Sequence, residues 1–184
     1  MERLRIQSRG QRPQAGALLI ELMFAAFILT VCSLGVISLI WTSILMNNRN
    51  RIDSTQTMLA QSIVEQVNST IIGSESSGLA DCNGKTWTIS TTPGGAVMSG
   101  AGIDFTEADP PEDYFMTYVL KAPCESTGAL QATYDVRWHV KIVGASAGTP
   151  TNTFLVTVGA KKSGSTRAGL VASAPITMRV MVGN

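Results

Sequence analysis

The 184-residue sequence holds a single histidine, His139, and only three cysteines, Cys32, Cys82 and Cys124. A zinc or similar centre needs about four N or S ligands at close spacing, and no such group of His and Cys is present. No Ser-His-Asp set or paired-carboxylate signature stands out around that one histidine, so no catalytic residue and no metal ligand is assigned. Gly100 and Gly102 lack the strand–helix setting of a phosphate-binding loop. Charged residues are 15% of the chain and the formal net charge is +1, which excludes the global basic field of a nucleic-acid binder. The most informative absence is local. From Leu22 to Met46 there is no charged side chain at all.

That run exceeds the roughly 20 apolar residues a helix needs to cross a bilayer. The arm before it is basic: Arg3, Arg5, Arg9 and Arg12 stand against Glu2 alone. Positive charge flanking an apolar span marks its cytoplasmic side. Pro13 and Gly16 disfavour helix, so residues 1–16 are expected to be extended and open to a protease. One acid, Glu21, enters the apolar segment 17–46. A carboxylate at membrane depth costs on the order of 3 kcal/mol, so a purely incidental Glu there is disfavoured. Either it reaches back to the headgroups, or it pairs with a cation once helices pack.

No Pro or Gly interrupts the chain between Ala17 and Ile72 except Gly35, and one continuous helix is expected over that range. At 1.5 Å per residue it would be about 80 Å long. Its second half, residues 47–73, is amphipathic. Leu59, Ile63, Val67 and Ile71 recur every four positions, with Ile52, Met58, Ala60 and Val64 flanking them. From residue 74 the texture changes. SESSG reads as a linker and Asn83-Gly84 as a tight turn before the strand KTWTIST. Residues 93–113, rich in Gly, Pro and acid, read as a long irregular loop. YFMTYVLKA follows. In residues 133–143 Tyr134, Val136, Trp138, Val140 and Ile142 alternate with Asp135, Arg137, His139 and Lys141, the period-two pattern of a sheet with one wet face. TFLVTVGAKK and PITMRVMVGN complete the set. The expected fold is α+β: a long N-terminal helix whose second half packs on an antiparallel sheet of four or five strands, residues 74–184.

The stretch GALLIELMFAAFIL resembles the N-terminus shared by type IV pilins and type II secretion pseudopilins: a basic leader ending in Gly, then an apolar run with Glu at its fifth position. Here Gly16 ends the leader and Glu21 is fifth after it. Ala17 stands where the family usually has Phe. The resemblance covers residues 10–46. It implies cleavage of the Gly16–Ala17 bond by a prepilin peptidase, N-methylation of Ala17, and pairing of Glu21 with the amino terminus of a neighbouring subunit during filament assembly. It also implies a pilin-like fold, other pilin subunits, inner-membrane assembly machinery and membrane lipid as partners, no cofactor, and no enzymatic activity of the chain itself. The implied location is the bacterial inner membrane, N-terminus cytoplasmic and C-terminal domain periplasmic, and then a filament. Residues 114–184 look like minor pilins of the PilV kind through looser strand patterns. A type II secretion pseudopilin and an uncleaved membrane-anchored binding or adhesion domain are the alternatives.

Cys82 and Cys124 both lie in the polar half. In an oxidising periplasm they would pair, closing a loop worth about 4 kcal/mol; otherwise they are separate thiols. Cys32, inside the apolar run, reads as a small hydrophobe. Tyr134 and Trp138 are expected in the core and His139 on a solvated face. Lys161, Lys162 and Arg167 are expected at a solvated hairpin tip rather than on a phosphate backbone, so nucleic acid is not an expected partner. Asp104, Glu107, Asp109, Glu112 and Asp113 are expected in a flexible solvated loop, since their spacing fits no calcium-binding pattern.

Overall fold

The computed structural model describes residues 15–70, 75–143, 153–164 and 174–183. The chain divides into two units, Met1–Met46 and Asn47–Asn184. Helix α1, Ala15–Ser69, supplies the described part of the first and begins the second. It starts two residues before Ala17, so Ala15 and Gly16 are helical rather than extended. Proline restricts the residue before it most strongly, and Pro13 therefore leaves Ala15 onward free to coil. Ile71 and Ile72 lie outside the described residues.

In the second unit the helix buries Ile52, Gln56, Leu59, Ala60, Ile63, Val64 and Val67. These positions recur at three- and four-residue intervals and form one stripe. Met58 does not belong to it: its side chain is 63% exposed, because it falls about 100° around the helix from Leu59.

The rest of the second unit is antiparallel. Strands β1 (Glu75–Ala80) and β2 (Thr86–Ser90) form a hairpin. The segment read as a linker is thus largely strand. Its turn is built as the Asn83-Gly84 pair suggested: Gly84 takes φ 78°, and the Asp81 carboxylate accepts from the amides of Asn83 and Lys85, each at 2.9 Å. Three two-residue strands follow, β3 (Gly94–Gly95), β4 (Met98–Ser99) and β5 (Gly102–Ile103). Then come the long strands β6 (Phe115–Ala122), β7 (Ala129–Ile142), β8 (Thr153–Ser163) and β9 (Ile176–Gly183). The main sheet has five strands, ordered β3-β7-β8-β9, with β6 also on β7. β3 and β6 share one edge of β7, β6 along residues 129–137 and β3 along 139–140.

Alternation on β7 turns Tyr134, Val136, Trp138 and Val140 toward the helix stripe, where they join Val156, Val158 and Ala160 of β8 and Met116 of β6 in one core. Trp138 is fully buried, and its indole N–H donates to the Ser90 carbonyl at 3.0 Å. A large ring can be buried there because its one polar atom is satisfied.

Cys82 and Cys124 are joined by a disulfide across 42 residues of chain. It fastens the β1–β2 turn to the β6–β7 connection, beside the hydrogen bond from the Cys82 amide to the Val119 carbonyl at 3.2 Å. Cys124→Ser is expected to lower the unfolding free energy by about 4 kcal/mol, chiefly by releasing the unfolded chain. Urea unfolding with and without reductant checks this. Coincident midpoints for the two conditions would mean that the crosslink contributes nothing.

Candidate functional site

Two regions carry side chains that packing within the chain does not explain in simple terms: the apolar part of α1 and the outer face of the main sheet.

Gly16 and Ala17 are the second and third residues of α1. The first four amides of a helix have no intrahelical acceptor, so the bond between them lies in the turn that costs least to unwind. The structure therefore keeps the sequence-expected cleavage bond near a helix end, though not in an extended arm. Residues 1–14 lie outside the described residues. Glu21 is exposed, and among the described residues no hydrogen bond or ion pair involves it.

From Leu18 to Met46 the large apolar side chains, apart from the half-buried Leu45, are 53–72% exposed, from Val31 at the low end to Leu22 at the high end. The helix is long and apolar enough to cross a membrane, and none of its most apolar stretch is buried within the chain. Removing that many leucines, isoleucines and phenylalanines from water is worth tens of kcal/mol on the order of 25 cal/mol per Å². Three of the five hydroxyls in the run are satisfied locally. Thr30 donates to the Ala26 carbonyl at 2.7 Å, Ser33 to Leu29 at 2.8 Å and Thr42 to Ser38 at 2.9 Å. Such back-bonding removes the demand for water that a hydroxyl would otherwise bring into hydrocarbon.

The outer face of β7 was expected to be wet, with Arg137 and His139 solvated. It is covered instead. Arg137 is 6% exposed. Its Nε donates to both Asp135 carboxylate oxygens at 3.0 Å, and Nη2 donates to Oδ2 at 2.8 Å. Nη1 donates to the carbonyls of Asp104 at 3.2 Å and Glu107 at 3.0 Å. The guanidinium carbon lies 5.5 Å from the Phe105 ring centre, and Lys161 Nζ lies 5.8 Å from it. His139 is half-buried, its Nδ1 3.0 Å from the Ala96 carbonyl. A carbonyl only accepts, so Nδ1 carries the hydrogen.

The cover is the segment read as a flexible acidic loop, and it is held at many points. The Ala96 amide donates to the Trp138 carbonyl at 3.0 Å. The Val97 amide donates to the Glu107 carboxylate at 3.2 Å. Gly95, at φ 122°, passes so close to β7 that an added Cβ would sit 2.4 Å from the Trp138 carbonyl oxygen. At Gly159 a Cβ would meet Ile103 and Phe105 at 2.9 Å. Two glycines thus let the segment lie flat on the sheet. The Thr106 hydroxyl and amide donate to Asp104 at 2.6 and 2.8 Å and hold its carboxyl below the usual carboxylate value, with Arg137 adding to the effect. The acids are thereby dispersed: Asp104 faces Thr106, Glu107 faces Val97 and Arg137, and the Asp113 carbonyl accepts from the Ser90 amide. Among the described residues no three His, Cys, Asp or Glu side chains are grouped to hold a metal. Arg167 lies outside the described residues.

Sequence reasoning missed the Arg137 cluster because alternation assigns a residue to a face without saying what covers that face. The available signal was Phe105, the one aromatic in residues 93–113, which needs a surface to rest on.

The arrangement defines an α+β chain: a helix able to span a membrane, and a disulfide-bonded unit of helix and antiparallel sheet with a pinned outer loop. No family model, no curated protein and no solved structure matches the chain.

Proposed function

We propose that the protein is a type IV pilin-like structural subunit, of the minor-pilin kind, made as a precursor, cut after Gly16 by a prepilin peptidase and assembled into a filament through α1. The observation that carries this reading is the uncovered, charge-free surface from Leu22 to Met46 with the single acid Glu21 just before it. Bilayer covers that surface before assembly and neighbouring helices cover it afterwards. The four leader arginines hold the N-terminus in the cytoplasm, which makes the protein single-pass in the inner membrane with Asn47–Asn184 in the periplasm. The disulfide is in keeping with that oxidising compartment. In this reading the chain is a substrate of the peptidase, which methylates Ala17 after cleavage, and is not itself an enzyme. In a filament, Glu21 meets the new amino group at Ala17 of an adjacent subunit.

Intact-mass and N-terminal peptide mass spectrometry of the full chain, expressed with a prepilin peptidase, tests the reading. The expected product begins at Ala17 and carries one added methyl group. A chain that keeps Arg3 to Arg12 in the presence of active peptidase overturns it.

A further inference from the structure

The outer face of the main sheet carries a cleft of about 400 Å³ beside the pinned loop, lined by His139, Lys141, Thr157 and Arg179, with Met98 and Leu155 among the apolar members. Register explains why these residues meet. His139 of β7 pairs with Thr157 of β8, which pairs with Arg179 of β9. Lys141 lies two residues along β7 and therefore on the same face. No Asp or Glu lines the cleft. The other cations of this face are engaged: Arg137 with Asp135 at 2.8 Å, and Lys161 over the Phe105 ring. Lys141 and Arg179 are exposed, and among the described residues neither side chain makes a hydrogen bond or an ion pair. Residues 144–152 and 165–173, which flank these strands, contain no Asp or Glu to neutralise them. The cleft thus presents two uncompensated cations to an anionic partner.

The same unit carries a matching anion. Asp109 and Glu112 are exposed, flank Pro110 and Pro111, and have no hydrogen-bond or ion-pair partner for their side chains among the described residues. The segment is anchored on both sides of them. The Glu107 carbonyl accepts from Arg137 at 3.0 Å, the Tyr114 amide donates to the Pro111 carbonyl at 3.2 Å, and the Ser90 amide donates to the Asp113 carbonyl at 3.0 Å. Each proline also restricts the residue before it to extended conformations. The two acids therefore stand on a rigid knuckle and lose little freedom on binding. In the polyproline conformation they would be up to about 9 Å apart at their Cα atoms. Lys141 and Arg179, two strands and two residues apart, are separated by about 12 Å on sheet spacings, a difference that long side chains can span. No ion pair joins knuckle and cleft within one chain among the described residues, and both belong to one compact unit. A contact between them is therefore one between molecules. It uses two different surfaces of the same chain, which makes it head-to-tail.

We propose that the cleft at Lys141 and Arg179 binds the acidic knuckle Asp109–Glu112 of a second copy of this chain. Charge pairs of this kind set partner choice and register more than affinity. The contact needs neither cleavage after Gly16 nor a filament, so it is tested apart from the reading above. Full chains with light and heavy nitrogen are mixed in detergent and treated with a carbodiimide, which joins carboxylates to amines without a spacer. Mixed-isotope peptides linking Lys141 to Asp109 or Glu112 are expected. Self-association measured by sedimentation should weaken at least about tenfold in the double variant Lys141→Glu with Arg179→Glu, and equally in Asp109→Lys with Glu112→Lys. Mixing those two double variants should restore association and the cross-link between the same positions. Cross-links confined to chains of one isotope overturn the proposal. So does failure of the mixed variants to associate when each is folded by circular dichroism. Nuclease-sensitive retention of nucleic acid through Lys141 and Arg179, without the mixed cross-link, assigns the cleft to a phosphate backbone and equally overturns it. Any of these results leaves the peptidase test of the precursor reading untouched.

Discussion

Glu21→Ala is expected to enter the membrane at least as well as the wild type and to fail in filament incorporation by about a hundredfold or more. The two halves of that expectation have opposite signs and one cause. Insertion scales charge about 3 kcal/mol against a carboxylate at membrane depth, so its removal favours the membrane-inserted chain. In a packed bundle the amino group of an adjacent subunit would then be buried without its partner. Breaking a buried pair in this way typically costs 3–5 kcal/mol, and about 1.4 kcal/mol is one decade. Glu21→Gln separates charge from shape and should fail nearly as badly. The measurement is paired: carbonate-resistant membrane fraction for insertion, and sheared-filament fraction for assembly. Normal filament incorporation of Glu21→Ala would sink the pairing mechanism, whatever the insertion result.

Much of this molecule is legible in the sequence because its periodicities are long and uninterrupted. The charge-free run from Leu22 to Met46 needs no tertiary information to be read as helix. The β7 alternation Tyr134, Val136, Trp138, Val140 likewise identifies the core face, and the structure buries all four. Errors arise where a residue's role depends on something distant in sequence. Met58 sits beside the apolar stripe in the sequence but points away from it in space. SESSG contains serines and a glycine and looks like a linker, yet β2 pairs with every residue of 75–80 except Gly78, where the register shifts. The outer loop is the largest error. Asp104 and Glu107 accept hydrogen bonds from Arg137 through their backbone carbonyls, which any residue type would supply, so those two bonds leave no trace in composition. The residue proposed to act in assembly stands out for a different reason. Glu21 departs from an otherwise uniform background, and such a departure is visible without any structure.

The outer loop also changes what holds the second unit together. Its sheet has one face on the apolar stripe of α1 and the other under residues 95–107, so β7 and β8 are covered on both sides along Arg137, Gly159 and Thr157. Arg137 is the centre of the second contact. Its guanidinium joins a carboxylate on its own strand, two carbonyls on the loop and the face of Phe105.

Arg137→Ala is therefore expected to destabilise the unit by about 3 kcal/mol, near the lower end of the range for breaking a buried charged pair. The lower end applies because the Asp135 and Glu107 side chains are 22% and 20% exposed and water can reach them. For a unit of this size the midpoint of thermal unfolding should fall by about 10 °C. The loss should be local first: carbonyls of Asp104 and Glu107 lose their donor, Phe105 loses its charged neighbour, and residues 96–107 become the earliest site of limited proteolysis. Arg137→Lys keeps the charge but has one nitrogen where Arg137 uses three, so it should recover less than half of the loss. The control is the double variant Asp135→Ala with Arg137→Ala. Removing both charges leaves neither stranded, and its cost should be smaller than the sum of the two single changes by 1 kcal/mol or more, as expected of groups in direct contact. Thermal unfolding of the full chain in detergent, followed by circular dichroism at strand wavelengths, reads the wild type and all four variants. Strict additivity in that cycle would mean that Asp135 and Arg137 act independently, and that the loop is held by its glycines and Phe105 alone.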